Sequence, residues 1–326
     1  MTRKLDVVNF LRGYSITTIV LMHLVQGYGL PGWAFKATSF GGAGVHVFIL
    51  CSGFGLYLSY LNKPLGYKDF LRKRFGRIYW PMAIVCLATA VWMLCQGKEV
   101  LMPLLGNLLL FKMFVPGLEI SMGGQMWFIS TIIQFYLAWP LIVRLINIKR
   151  GGYWIALAVS LLWATFVYLS GHSEERVWNS FFLQYLWEFC LGMKLAELYV
   201  RKPSALDLPK WKYLVPVCVV GMMLTGMMGW MGFPWKLFND IPSLFGYLSL
   251  ALIIYKLHIV VVNRFFSYTN RFSYEWYLVH ILVFQIVMQV TRGHVPAIIE
   301  IVLCLLLSYF AAMWYGKLWN RKKTSK

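Results

Sequence analysis

The sequence predicts an all-α polytopic membrane protein of about ten transmembrane helices with both termini cytoplasmic. Three observations lead there. Hydrophobic residues fill 60% of the 326 positions and charged residues only 13%, whereas soluble domains are about one-quarter charged. Apolar runs of about twenty residues, the length that crosses a bilayer, recur along the whole chain. The basic residues are also segregated. With a cytoplasmic N-terminus, only Lys36, Lys98, Lys112, Arg176, Lys236 and Arg292 of the 31 Lys and Arg fall on the outer side, which is the positive-inside pattern.

In chain order the runs cover 7–29, 44–61, 78–95, 126–146, 154–170, 178–198, 213–231, 243–262, 272–290 and 296–318. The first is too long for a signal-peptide core and lacks a small-x-small cleavage site, so it is expected to remain as an anchor. A basic cluster, Arg72, Lys73, Arg74 and Arg77, precedes the third run on the cytoplasmic side. Between the third and fourth runs, 101–114 is apolar but too short to cross and is broken by Pro103 and Gly106, which predicts a re-entrant or interfacial segment on the outer face. The other loops are short, leaving residues 1–326 as a single transmembrane domain. No internal repeat is evident, which weighs against transporters built from inverted halves.

The net charge of +19 follows from basic loops that set topology and attract anionic lipid headgroups, so no nucleic-acid partner is needed. The six cysteines are scattered through apolar runs without a C-x-x-C, which suggests neither a disulfide framework nor a metal site. The sequence lacks G-x-S-x-G, H-E-x-x-H and a P-loop. Any chemistry is therefore expected inside the membrane.

Arg12 and His23 stand eleven residues apart in the first run. At about 100° per residue this is close to three helical turns, which puts both on one stripe about 16 Å apart along the axis. Ionisable groups at membrane depth are costly and face cavities or partners, so the pair is expected to line one internal chamber. Taken singly, a membrane histidine also serves as a packing residue and an arginine as a snorkelling topology signal. A neutral imidazole can accept the proton of an attacking hydroxyl, whereas a guanidinium stays charged and clamps anions. The basic cluster at 72–77 reads either as a topology signal or as a phosphate site, since arginine forks match phosphate oxygens.

His46 is expected at the depth of His23, close enough to share a proton with it, and His280 either orients a substrate or ties helices together. Glu188 and Glu300 are candidate partners for Arg12 or His23, since a membrane carboxylate is protonated or paired. Most Trp and Tyr read as an interfacial belt. Trp127, Trp33 and Trp235 are expected on the outer face, where an aromatic ring can stack on a bound ligand.

Leu5-Asp6 with Leu11-Arg12-Gly13 and His23 resembles the opening motif of the acyltransferase-3 family, membrane O-acyltransferases of surface glycans and related acceptors. Gly41 to Phe54, Arg72 to Pro81, Trp127 to Pro140 and Ser273 to His280 resemble four further stretches of that family in order. The resemblance implies transfer of an acyl group, most often acetyl, from cytoplasmic acyl-CoA to a hydroxyl on a surface or lipid-linked glycan at a cell (plasma or inner) membrane. It carries Arg12 and His23 over as catalytic residues and Arg72, Lys73, Arg74 and Arg77 as donor-binding residues. It implies acyl-CoA as donor substrate and no metal, and it leaves room for an oligomer. The sequence departs from many glycan-modifying members at Ile132 and Ile133, where they carry acidic residues, and keeps Gln134. It resembles the shorter branch without an appended esterase-like domain. Export of a polysaccharide or an acyl group is the alternative reading.

Overall fold

A computed structural model describes residues 2–28, 32–33, 38–148, 151–203 and 207–324. Lys36, Lys149, Arg150 and Lys326, used in the charge count, and Gly29, at the end of the first run, lie outside the described residues. Among the described residues the chain is helical, with no named strand.

The helices are α1 (Thr2–Gln26), α2 (Gly44–Asn62), α3 (Tyr67–Cys95), α4 (Leu101–Leu108), α5 (Trp127–Leu137), α6 (Trp139–Ile146), α7 (Gly152–Leu169), α8 (Arg176–Asn179), α9 (Leu186–Arg201), α10 (Trp211–Met231), α11 (Asp240–Lys256), α12 (Val260–Thr269), α13 (Ser273–Thr291) and α14 (Ala297–Thr324). Six of them, α1, α2, α3, α7, α10 and α14, are long and apolar enough to cross a membrane, and the bent pair α5–α6 makes a seventh if counted as one span. The other three of the ten sequence runs correspond to α9, α11 and α13. The first two have 16 and 17 residues. The third carries Glu275, His280, Gln285 and Gln289.

Two runs that looked continuous are broken, for identifiable reasons. The 126–146 run bends by 65° between α5 and α6. Pro140 has no N–H for the helical ladder and disfavours helical backbone at Trp139, and the Tyr67 hydroxyl donates to the carbonyl of Leu137 (2.8 Å) beside the bend. The 178–198 run is interrupted between Asn179, where α8 ends, and Leu186, where α9 begins. Polar side chains of neighbouring helices serve the irregular backbone before it: Thr131 donates to the Ser180 carbonyl (2.7 Å), Ser160 to that of Leu183 (2.7 Å), and the Phe182 N–H donates to Gln134 Oε1 (3.1 Å). Non-helical backbone at membrane depth is stable only when buried and satisfied in this way.

The short helix α4 turns Leu101 and Met102 outward, and Leu109, Phe114 and Ile120 beyond it are also exposed. An eight-residue helix cannot span a bilayer. The segment 101–114 thus does not cross as a single helix, and it is held by buried Lys112, which donates to the carbonyls of Ser121 (2.5 Å) and Gly123 (2.9 Å).

Three buried clusters hold the bundle. One joins α2, α5, α6 and α9 through stacked Phe135 and Phe189 (4.3 Å between centroids). A second joins α1, α3, α13 and α14, and a third joins α1, α2 and α11. Apolar side chains of α10 and α14 such as Val219, Met223, Leu306 and Trp314 are exposed, as expected of surfaces solvated by lipid. Gly13 lets α1 lie directly on α12, because a Cβ there would sit 1.8 Å from the carbonyl oxygen of Phe266. Small residues permit such close helix crossings in membranes. Gly13→Ala is therefore expected to destabilise the bundle by about 1–3 kcal/mol, the usual range for overpacking, measurable as a lower melting temperature in detergent. An unchanged melting temperature would show that the two helices have slack here.

Candidate active site

The neighbours of α1 define two polar centres along its length. Near its N-terminal end is a cavity of about 370 Å3 lined in part by Arg12, Arg74, Arg77, Arg271, Glu275 and Tyr136. The helix starts supply this charge: Arg74 and Arg77 come from the first turns of α3, and Arg271 lies just before α13. Arg77 and Arg271 are exposed, while Arg12 and Arg74 reach deeper. The Nε atoms of Arg12 and Arg74 are buried and have no hydrogen-bond partner among the described residues, and Arg12 stacks over the Phe48 ring (5.8 Å). Four guanidiniums face one carboxylate. A buried donor left unmade is costly, so the arrangement suits a polyanionic guest that brings its own acceptors.

Pro81 in α3 shapes this wall. It interrupts the ladder, and hydroxyls from two other helices bind the nearby carbonyls: Tyr274 donates to Ile78 (2.7 Å) and Tyr315 to Pro81 itself (2.9 Å). These bonds fasten α3 to α13 and α14 beside the arginines.

The second centre lies toward the other end of α1. His23 Nδ1 and His280 Nε2 are 2.9 Å apart, and His280 Nδ1 is 2.9 Å from the Trp276 carbonyl oxygen. A carbonyl only accepts, so His280 Nδ1 carries a proton and donates it. In the neutral ring its Nε2 is then a bare acceptor, and His23 Nδ1 must be the donor to it. This leaves the lone pair of His23 on Nε2, outside the pair and free to accept a proton. His280 is fully buried whereas His23 is only partly so, so the less buried ring is the one with the free lone pair.

The expected stripe is present, since α1 runs as one unbroken helix from Arg12 to His23, but the expected common chamber is not. The cavity lining includes Ile19, Phe128 and Tyr277 and does not include His23 or His280. Ile19 sits one turn from His23, and the Tyr277 ring is 6.4 Å from that of His280 and 5.8 Å from that of Phe128. The Tyr277 hydroxyl donates to the Gln125 carbonyl, which holds this partition in place. Arg72 and Lys73 are exposed and outside the cavity lining.

Three expected partnerships are also replaced. His46 does not pair with His23 but with Glu188 (2.7 Å). Glu188 is accordingly committed to His46 rather than to Arg12 or His23. Glu300 accepts from Tyr28 (2.7 Å) and Thr291 (3.0 Å). Trp127 stacks on Tyr185 and lies beneath Arg176 (5.4 Å), while Trp33 and Trp235 are exposed. The sequence reasoning passed over Arg271 as a topology charge and missed Tyr136. Its available signal was position, since Arg271 stands two residues before the Ser273 to His280 stretch.

The helices thus define a class: a multi-pass membrane protein with an arginine-lined internal cavity and a partly buried histidine pair. A family model described as an acyltransferase domain, that of the acyltransferase-3 family, matches residues 5–317. The chain belongs to this family of membrane acyltransferases. No curated protein and no solved structure matches it significantly.

Proposed function

We propose that the protein is a membrane O-acyltransferase that moves an acyl group, acetyl by family resemblance, from cytoplasmic acyl-CoA to a hydroxyl of a surface or lipid-linked glycan. The observation that carries this reading is the arginine cavity with its two unpartnered buried Nε atoms. The phosphates of CoA supply the acceptors those donors lack, and the arginines lie at the end of the bundle that the positive-inside rule assigns to the cytoplasm. In this reading the chain forms one domain of ten membrane segments in the plasma or inner membrane, with both termini cytoplasmic and without a catalytic metal.

The reaction needs a base at the thioester. The acyl arm passes from the cavity beyond Ile19, Phe128 and Tyr277, whose side chains give way to it. His23 Nε2 takes the proton of the acceptor hydroxyl as its oxygen forms a bond to the thioester carbon. The C–S bond breaks, the thiolate leaves, and His23 returns the proton to it as CoA thiol. His280 is a positioning residue: it holds the His23 tautomer and accepts the Nδ1 hydrogen bond of the imidazolium that forms. His280→Ala is expected to lower kcat by about 10²-fold or more, as loss of a tautomer-fixing partner does, with the KM for acyl-CoA unchanged. A purely structural role would move both constants or neither.

Mass spectrometry of surface glycans and lipid-linked sugars, with and without the protein, tests the function. The reading expects a difference of one acyl unit on a glycan, and CoA thiol released by the purified protein only when acceptor is present. Movement of glycan across proteoliposomes lacking acyl-CoA, with no thiol release, would establish export instead. Radiolabelled acyl retained on the protein without acceptor would make His23 an acyl carrier rather than a base.

A further inference from the structure

A third polar centre lies where α2, α9 and the start of α11 meet, and the acyl-transfer account does not use it. His46 Nδ1 donates to Glu188 Oε1 at 2.7 Å. Its Nε2 stands 3.8 Å from Asp240 Oδ1, too far for a hydrogen bond. Glu188 is fully buried, and its second oxygen, Oε2, has no hydrogen-bond partner among the described residues. The other oxygen of Asp240 accepts from Gln184 Nε2 (2.7 Å), and that same nitrogen donates to the Leu237 carbonyl (2.7 Å). Even with His46 doubly protonated, one imidazolium faces two carboxylates, leaving a negative charge uncompensated. A buried charge of that kind is not tolerated without a partner. Either a proton or a cation balances it.

The geometry points to the cation. One ligand atom from each of His46, Glu188 and Asp240 lies within 4.8 Å of the other two. We propose that these three residues form a binding site for a divalent transition-metal cation, Zn2+ being the best match to one imidazole nitrogen and two carboxylate oxygens. Binding releases the His46 Nδ1 proton to solvent, because a ligating imidazole nitrogen carries none, and bonds of about 2.0–2.2 Å to a shared ion require the 2.7 Å contact between His46 and Glu188 to open by on the order of half an ångström. The unpartnered Oε2 offers Glu188 a second way to ligate. The Gln184 amide already orients Asp240, as outer-shell groups orient metal ligands. Side chains of His46 and Asp240 each keep 12% exposure, so an ion has a way in. Because the ligands come from three helices, the ion ties α2, α9 and α11 together.

The test uses the full-length protein in nanodiscs, stripped with a membrane-impermeant and a permeant chelator, reloaded with Zn2+ or Mn2+, and desalted. The proposal expects about one equivalent of Zn2+ by elemental analysis and a melting temperature that rises on reloading. Glu188→Gln and Asp240→Asn, which preserve shape, should each lose the equivalent and the shift while still binding CoA as the parent does. Wild-type protein that retains no stoichiometric ion and melts identically with and without Zn2+ would overturn the proposal and assign the balancing charge to a proton. Retention of the ion by both variants would place it elsewhere and overturn it equally.

Discussion

Replacing His23 by alanine is expected to lower kcat for acyl transfer by about 10²–10⁴-fold, the usual contribution of a positioned base, with little change in the KM for acyl-CoA. Two structural facts set this expectation. The lone pair that would accept the acceptor's proton is on His23 Nε2, because the Trp276 carbonyl fixes the His280 tautomer and His280 in turn fixes that of His23. The imidazole is also outside the cavity lining, so its removal should leave the donor's phosphate contacts intact. Initial rates of CoA thiol release against donor concentration separate the two constants. A variant that is folded and inserted but transfers acyl groups at the normal rate would remove His23 from the chemistry, both as base and as acyl carrier.

Arg12→Ala is expected to act on the other constant. A hydrogen bond to a charged group contributes about 1.5–3 kcal/mol, which is roughly a tenfold to hundredfold rise in the KM for acyl-CoA. Arg74→Ala should behave similarly, since its Nε is likewise buried and unpartnered. Arg72→Ala and Lys73→Ala should have much smaller effects, because both side chains are exposed and outside the cavity lining, where solvent and salt screen their charge. The contrast within one six-residue stretch is the sharper measurement, since the sequence alone treats all four basic residues alike. Equal effects at Arg72 and Arg74 would mean that the cluster acts as a diffuse surface charge.

Helical periodicity made the Arg12–His23 stripe legible, because within one helix spacing fixes direction. Hydropathy made the membrane class legible for a similar reason, since span length is a property of the local sequence. What was not legible lies between helices. The partners of His23, His46 and Glu188 depend on which helices pack together, and no residue in α1 specifies that α13 will supply His280. Depth alone suggested a His23–His46 pair, but α9 lies against α2 and presents Glu188 to His46 instead. Two breaks in the apolar runs had signals that the hydropathy outweighed. Pro140 marked the bend after α5, and Asn179, Ser180 and Gln184 marked the irregular backbone before α9. The common chamber failed for a steric reason: the stripe between Arg12 and His23 also carries Ile19, which helps to close it.

The central claim is that the arginine cavity receives the phosphates of the acyl donor. Calorimetric titration of CoA into the protein in nanodiscs, alongside an Arg12→Ala, Arg74→Ala double variant and with pantetheine as the phosphate-free control, tests it most directly. The account expects saturable binding of CoA to the wild type, loss of that binding by at least tenfold in the variant, and no saturable binding of pantetheine over the same range. Equal affinity of wild type and variant for CoA, or pantetheine binding as tightly as CoA, would contradict it.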